Sequence, residues 1–447
     1  MIIDERLLHF IWQYRCFHTG SLCTVQGEPV HIIYPGRYNL DGGPDFLEAI
    51  IQIGDKRWAG HVEIHTKESH WHVHKHEGDI KYQNVILHVV WNCDIKNRRL
   101  PTLSLEGRIP PSLIAKYRKQ MEQKLLLPCH YEANVVPEII LTHWRERLMI
   151  ERLEQKALGV LALLDHLQND WNQLAFVHLA TYLGLPANTE VMKALALSID
   201  YKIILKNGNS NFTIEAMLFG VAGMLQDIAI QDYTLALKKE YKYQKHKYGL
   251  QENTAVQWQW LRMRPGSFPT IRIAQLASIC THLFPLMDKI LEDPQAFLVA
   301  LEKIETSAYW ECHYTFEKIS KKRRKHIGKD LCHRIGSNVI APLMMAYSID
   351  TGNMEYQEAA IELLSKLPAE DNVVLKKFAR IYPHSHTASH SQGILHLYKQ
   401  YCIKKRCLEC AIGCHILKRE ANFDTTRNKT IFEIQEEEVQ YARAQIF

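Results

Sequence analysis

The sequence predicts an α+β protein: an N-terminal α/β domain followed by a large all-α domain. Three observations predict it. Between residues 22 and 107 the chain carries short β-branched runs divided by polar turns. After Pro110-Pro111 the apolar residues recur at helical spacing instead. The chain has 447 residues, enough for two or three domains with a core in each.

The elements follow in order. Residues 1–17 read as an amphipathic helix, and residues 22–34 as two short strands around Gln26-Gly27-Glu28-Pro29. Residues 46–53 and 58–67 read as a hairpin around Gly54-Asp55-Lys56-Arg57. Residues 84–95 are almost continuously apolar, the pattern of a buried strand, and 100–107 add a last one. This domain covers 1–110, and 111–137 reads as a linker. A helical domain follows over 138–398, with periodic runs at 139–167, 174–183, 189–205, 214–227, 274–291, 338–348 and 354–366. The last segment, 399–447, holds a cysteine-bearing helix and a charged tail after Arg419.

Composition narrows the class. The chain is 47% hydrophobic and 23% charged, as globular proteins are. Its net charge of +5 is too mild to indicate nucleic acid by itself. No apolar run reaches transmembrane length, so no membrane partner is expected. The start, MIIDERLLHFIWQYRCF, carries Asp4 and Glu5 and lacks the basic region of a signal peptide. Of eleven cysteines, Cys16, Cys23, Cys93, Cys129, Cys280, Cys312 and Cys332 are scattered singly, and four cluster near the C-terminus. A secreted disulfide framework would be denser and shorter, so a cytoplasmic protein is expected.

Four constellations could carry chemistry. In the first, strand alternation puts His61, Glu63, His65 and Lys67 on one face, with Val62 and Ile64 on the other. A hairpin would bring Asp45 toward Glu63. Two carboxylates beside an imidazole or ammonium group can hold Mg²⁺ or Mn²⁺ and activate a water. The bland alternative makes Asp45 a turn residue and Glu63 and Lys67 a solvated strand face.

The second is the series SHWHVHKHEGD, with His70, His72, His74 and His76. An extended stretch would align all four imidazoles. His72, His74 and His76 are candidate metal ligands or proton carriers. Seven of the 24 histidines fall between His61 and His88, a density that packing does not require.

The third is Cys402, Cys407, Cys410 and Cys414. Four thiols in thirteen residues, with a CxxC inside, indicate structural zinc or an iron–sulfur cluster tying the last helices together. The fourth is a set of basic and aromatic stretches. Lys242 and Lys245 lie in KKEYKYQKHKYGL, and Arg262, Arg264 and Arg272 in WQWLRMRPGSFPTIR. That mixture suits a nucleic-acid groove. The run KKRRKH at 321–326 reads as a solvated face, and Trp258 and Trp260 as core or interface residues.

Two resemblances follow from these residues. The Pro44-Asp45 pair and the Glu63-x-His65 element resemble the PD-(D/E)XK nuclease superfamily, in which an Asp opens one strand and an acidic-x-Lys element lies on the next. The resemblance implies a restriction-endonuclease-like N-terminal domain and a metal-dependent nuclease. Asp45 and Glu63 would be ligands, the Ile64 carbonyl a third, and Glu5 an additional acid. His65 stands where the superfamily has Lys, and Lys67 could replace the missing ammonium. Some of these nucleases carry a C-terminal iron–sulfur cluster with one remote cysteine, which would be Cys16 or Cys23 here. Over nearly the whole chain, the blocks GGPDFLEA, GHVEIHTKESHWHVH, YQNVILHVVW, RPGSFPTIRIAQLA and YCIKKRCLECAIG resemble an uncharacterised bacterial domain-of-unknown-function family found chiefly in Bacteroidetes. That likeness implies no activity. Alternative functions are a non-catalytic nucleic-acid- or protein-binding module with structural zinc, and a His-based metallohydrolase.

Overall fold

The computed structural model describes residues 3–95, 100–123, 127–130, 132–226, 231–252, 257–316, 318–379, 381–383 and 385–421. It is mixed α+β, with a sheet in the N-terminal part and helices over most of the rest. The chain forms two compact units: residues up to Trp144 with those from Leu397 onward, and Arg145–His396.

The first unit opens with α1 (Glu5–Gln13). Asp4 caps it by accepting the Arg6 N–H at 3.1 Å. Leu7, Leu8, Phe10, Ile11 and Trp12 are buried, and the helix packs on the sheet through them. The strands are β1 (Val30–Tyr34), β2 (Arg37–Tyr38), β3 (Phe46–Ile53), β4 (Lys56–Lys67), β5 (Val85–Asn92) and β6 (Thr102–Ser104). Their order is β1-β3-β4-β5-β6, with β2 also on β3. Pairing is antiparallel up to β4 and parallel from β4 through β6. The hairpin turn is only Gly54-Asp55, with Gly54 in the left-handed region at φ +57°, where glycine is favoured. Val62, Ile64, Leu87 and Val89 enter the core with α1, which turns Glu63, His65 and His88 to the opposite face.

A β-bulge between Phe46 and Ala49 sets the register that matters. Phe46 pairs with Val62 but Ala49 with Gly60, so β3 carries one extra residue. Glu48 takes φ +60° there, and its N–H donates to His61 Nδ1 at 3.3 Å. Asp45, just ahead of β3, therefore falls opposite Glu63.

Several expectations are corrected. Residues 22–34 hold one strand and a single bridge between Cys23 and Pro29. The expected linker 111–137 contains α3 (Pro111–Glu122), whose Leu113, Ile114 and Tyr117 join the sheet core. The run 189–205 is two helices, Thr189–Leu197 and Tyr201–Lys206, because Asp200 caps the second by accepting the Lys202 N–H. The run 274–291 likewise breaks before Pro285, into Pro269–His282 and Leu286–Glu292. The helix Ala411–Ala421 of the cysteine segment belongs to the first unit, where Leu417 is fully buried in the sheet core. The charged tail beyond Ala421 lies outside the described residues.

The second unit is helical and has its own core. Asn211–Val221 and Pro269–His282 are buried along most of their length and contribute to that core. Trp258 packs against this core and donates to the Ala222 carbonyl at 3.0 Å. Among the described residues, no helix is long and apolar enough to cross a membrane.

Candidate metal centre

The hairpin brings the two carboxylates together. Asp45 N–H donates to Glu63 Oε2 at 3.1 Å, and Ile64 N–H donates to Asp45 Oδ2 at 2.9 Å. From α1, His9 Nε2 lies 3.3 Å from Asp45 Oδ2. Glu5, on the same helix, is close enough for its charge to act on Glu63.

The imidazoles converge on the same carboxylate. Glu63 Oε1 is 3.5 Å from His65 Nε2 and 3.3 Å from His76 Nε2. His65 also forms a chain, with Nδ1 at 2.9 Å from His88 Nε2 and Nε2 at 3.1 Å from His74 Nδ1. His65, His74 and His76 offer nitrogens that all lie within 4.8 Å of one another, the only such group of metal-capable side chains among the described residues.

The histidine series reaches this point by turning, not by extending. His70–Val73 is a short helix, α2, and His76–Gly78 is a 3₁₀ turn. Between them Lys75 adopts φ +60°. That left-handed residue folds the chain back, so His74 and His76 both face His65. The expected alignment of all four imidazoles is corrected accordingly. His72 points away and pairs with Glu77 at 3.2 Å on the exposed side. His70 stays at the edge, its ring 6.0 Å from that of His65. Rings cover the His76 side of the site, while His74 is exposed: Tyr82 stacks on His76 at 3.8 Å, and Trp71 packs edge-on against His76 and Tyr82.

Electrostatics follow from burial. Glu63 is 5% exposed and His65 1%. Burial, reinforced by the Asp45 charge, pushes the Glu63 carboxyl up to about 9, against the pull of the Asp45 N–H. Burial and the neighbouring imidazoles hold His65 and His88 far below the ordinary imidazole value, His88 at about 3. Tyr82 rises to about 12 through burial and the Glu63 and Asp45 charges. Burial thus keeps His65 and His88 neutral, as a ligand and its supporting ring must be.

The donor set fits a divalent ion. His76 Nε2 and His9 Nε2 are buried and make no aligned hydrogen bond, although each lies 3.3 Å from a carboxylate oxygen. Buried imidazole nitrogens that face carboxylate oxygens are where a cation would join them. His65 Nε2, His74 Nδ1, His76 Nε2 and Glu63 Oε1 could hold it, with Asp45 beside them.

Lys67 does not take the ammonium role expected of it. It lies four residues along β4 from Glu63, about 13 Å at strand rise. It is exposed, and its charge acts on Asp94. Sequence reasoning missed His9, Trp71, Tyr82 and His88. Only His88 left a signal, in the histidine density; Trp71 lay inside the histidine series but carried no ligand chemistry to mark it, and His9 and Tyr82 come from segments with no spacing to the motif.

The basic residues belong to the second unit. Lys242 is exposed on the helix Asp232–Tyr248, whereas Lys245 pairs with Glu252 at 2.8 Å. Arg262 and Arg264 are exposed. Arg272 is corrected from a loop contact to a helix residue. Its guanidinium donates to Gln275 at 2.8 Å and Ser267 at 3.3 Å, and burial lowers its pKa to about 10. In KKRRKH, Lys322 and Arg324 pair with Glu311 and Glu305.

The family model described as protein of unknown function (DUF2851) matches residues 5–373. No curated protein and no solved structure matches the chain.

Proposed function

The chain belongs to that DUF2851 family, and we propose that its first unit is a metal-dependent phosphodiesterase acting on nucleic acid. One observation carries the reading. Glu63 Oε1 stands at hydrogen-bonding range from two imidazole nitrogens, while Glu63 Oε2 and Asp45 are cross-linked through the hairpin backbone. Two strands thereby present two acids to one point, the arrangement that the PD-(D/E)XK resemblance implies. The surrounding elements support it as well: α1 precedes the hairpin, and α2 and the parallel strand β5 follow. The finer assignment, a restriction-endonuclease-like fold, is part of this proposal.

The imidazoles favour Mn²⁺ or another transition ion over Mg²⁺, which prefers oxygen ligands. Such an ion, when bound, supplies an acidified water and offsets charge on the phosphate. The chain's own groups do the rest. Glu63 and Asp45 hold the polar side of the centre through backbone-fixed oxygens. His88, bonded through Nε2 to His65 Nδ1 at 2.9 Å, orients the His65 ring so that its Nε2 faces the centre. Trp71 and Tyr82 keep bulk water from the His76 side. Exposed Arg262, Arg264 and Lys242 are candidates for backbone phosphate contact.

A second reading, a His-based metallohydrolase with a small substrate, is favoured by the three imidazoles that outnumber the acids. The test is cleavage of labelled single- and double-stranded DNA and RNA with Mn²⁺ or Mg²⁺, beside Asp45→Ala and Glu63→Ala. Metal-dependent cleavage lost in both variants supports the phosphodiesterase. Metal binding without cleavage of any of the four substrates favours the second reading, and folded protein with neither favours a binding module.

A further inference from the structure

A second metal-binding constellation lies in the first unit, away from the histidines. The π-helix Leu397–Cys402 ends at Cys402, and Lys405 then takes φ +51°. Lys405 N–H returns to the Cys402 carbonyl at 3.2 Å, and Arg406 N–H to Tyr401 at 2.9 Å. This tight reversal delivers Cys407, and one further turn delivers Cys410, whose N–H donates to the Cys407 carbonyl at 3.4 Å. Both side chains are buried. Gly413 seals the turn, since a Cβ there would meet the Cys407 oxygen at 2.2 Å.

The fourth thiol comes from elsewhere in the unit. The helix Ala411–Ala421 packs on the 3₁₀ turn Ala133–Val135. Cys129 sits immediately before that turn, its carbonyl accepting from Glu132 and Ala133 N–H at 3.0 Å. Each of the six sulfur pairs among Cys129, Cys402, Cys407 and Cys410 is close enough for one charge to oppose the other. None of the four is in a disulfide. Cys414 lies near Cys407 and Cys410 too but is differently engaged: its thiol donates to the Leu408 carbonyl at 2.9 Å, and Lys418 and Cys16 also lie near it.

Two features separate this quartet from four buried thiols that merely pack. The backbone N–H groups of Ile412 and Gly413 and the Trp144 side chain all address the Cys410 sulfur. Burial raises the Cys410 thiol against these donors, and they would serve a sulfur that becomes a thiolate on binding. The spacing is also informative. No three of these sulfurs, all on described residues, lie within 4.8 Å of one another. A single zinc with bonds of about 2.3 Å would need sulfurs about 3.8 Å apart. A wider quartet suits a cluster in which thiolates bind separate irons.

We propose that Cys129, Cys402, Cys407 and Cys410 are the four thiolate ligands of an iron–sulfur cluster, and that Cys414 is not a ligand. The proposal does not depend on the phosphodiesterase reading. It replaces the contiguous set of four with one that ties the C-terminal segment to the polypeptide near Cys129. The thiols release their protons as the cluster binds.

The test uses the full chain, purified without oxygen or reconstituted with Fe²⁺ and sulfide. Iron and acid-labile sulfide in equal amounts, with broad visible charge-transfer absorption, are expected. The absorption should be lost in Cys129→Ser, Cys402→Ser, Cys407→Ser and Cys410→Ser, and kept in Cys414→Ser. Zinc without sulfide, or neither iron nor sulfide, overturns the cluster. Full absorption in Cys129→Ser, or its loss in a Cys414→Ser variant with native circular dichroism, overturns the ligand set. Wild-type iron and sulfide content decides the first question even where a ligand variant fails to fold.

Discussion

Asp45 and Glu63 are locked to each other by backbone donors, Asp45 N–H to Glu63 Oε2 at 3.1 Å and Ile64 N–H to Asp45 Oδ2 at 2.9 Å. The carboxylates are therefore oriented by the hairpin before any ion arrives, which is the preorganisation a metal site needs. Glu63→Gln keeps an acceptor for the Asp45 N–H and matches the protonated carboxyl that burial favours without an ion. Metal-free Glu63→Gln should therefore melt close to wild type at neutral pH. Mn²⁺ at a hundredfold its Kd should stabilise wild type by about 2.7 kcal/mol and the variant far less. Thermal melts with and without Mn²⁺ decide it, and equal metal shifts in both proteins would remove Glu63 from the centre.

His76 and His72 make a sharper pair, because their spacing in the sequence gives no reason to separate them. His76 Nε2 is buried 3.3 Å from Glu63 Oε1, whereas His72 is half exposed and bonded to Glu77. His76→Ala and His74→Ala should weaken Mn²⁺ binding by on the order of tenfold to a hundredfold or more. His72→Ala should leave it within about twofold, as a surface substitution away from the site does. Calorimetric titration of the three variants reads this directly. Equal losses in His72→Ala and His76→Ala would mean that the series binds metal as a solvated tract.

How much of this was legible depends on where the information sits. Alternation in β4 reveals which residues share a face, so Glu63 and His65 opposite Val62 and Ile64 could be read from sequence. That a hairpin brings Asp45 toward Glu63 was also readable, but only the bulge completes the register that sets them opposite. The bulge at Glu48 and the left-handed Lys75 were not, because neither position carries the glycine that would mark it. Cys129 was invisible for a different reason. Its nearness to Cys402 is tertiary, across more than 270 intervening residues. Arg272 was misjudged because the loop around Pro265 gives way to a helix at Pro269, a favoured first position.

Gly60 tests how tightly the sheet positions the site. A Cβ there would fall 2.4 Å from Ile86 Cγ2 and 2.6 Å from the Asn84 carbonyl. That carbonyl accepts the His61 N–H at 2.8 Å and sets the β4–β5 register. Gly60→Ala should cost about 1–3 kcal/mol and weaken Mn²⁺ binding by shifting Glu63 and His65. Gly159→Ala, on the exposed side of the helix Glu138–His166 with open space around it, should stabilise by up to about 1 kcal/mol. Melts of the two variants would show opposite signs. A neutral Gly60→Ala would mean that the strand pair yields without strain.

Glu215 gives the second unit a pH dependence of its own. It is fully buried, with Tyr233 and Ser307 hydroxyls donating to Oε2 and the Asn211 amide to Oε1. Burial pushes its carboxyl up to about 7, against the pull of those donors. Between the unfolded value near 4.5 and the folded value, the native state holds more protons than the unfolded chain. Stability from this group is therefore complete below about pH 4.5 and falls as pH rises to about 7, by on the order of 3 kcal/mol. Glu215→Gln mimics the protonated form at every pH. Its melting temperature should match wild type near pH 5 and exceed it at pH 8, the gap widening across the interval. A gap that stays constant with pH would place the ionised carboxylate in a site that solvates it fully, with the Tyr233 and Ser307 donors offsetting the whole cost of burial.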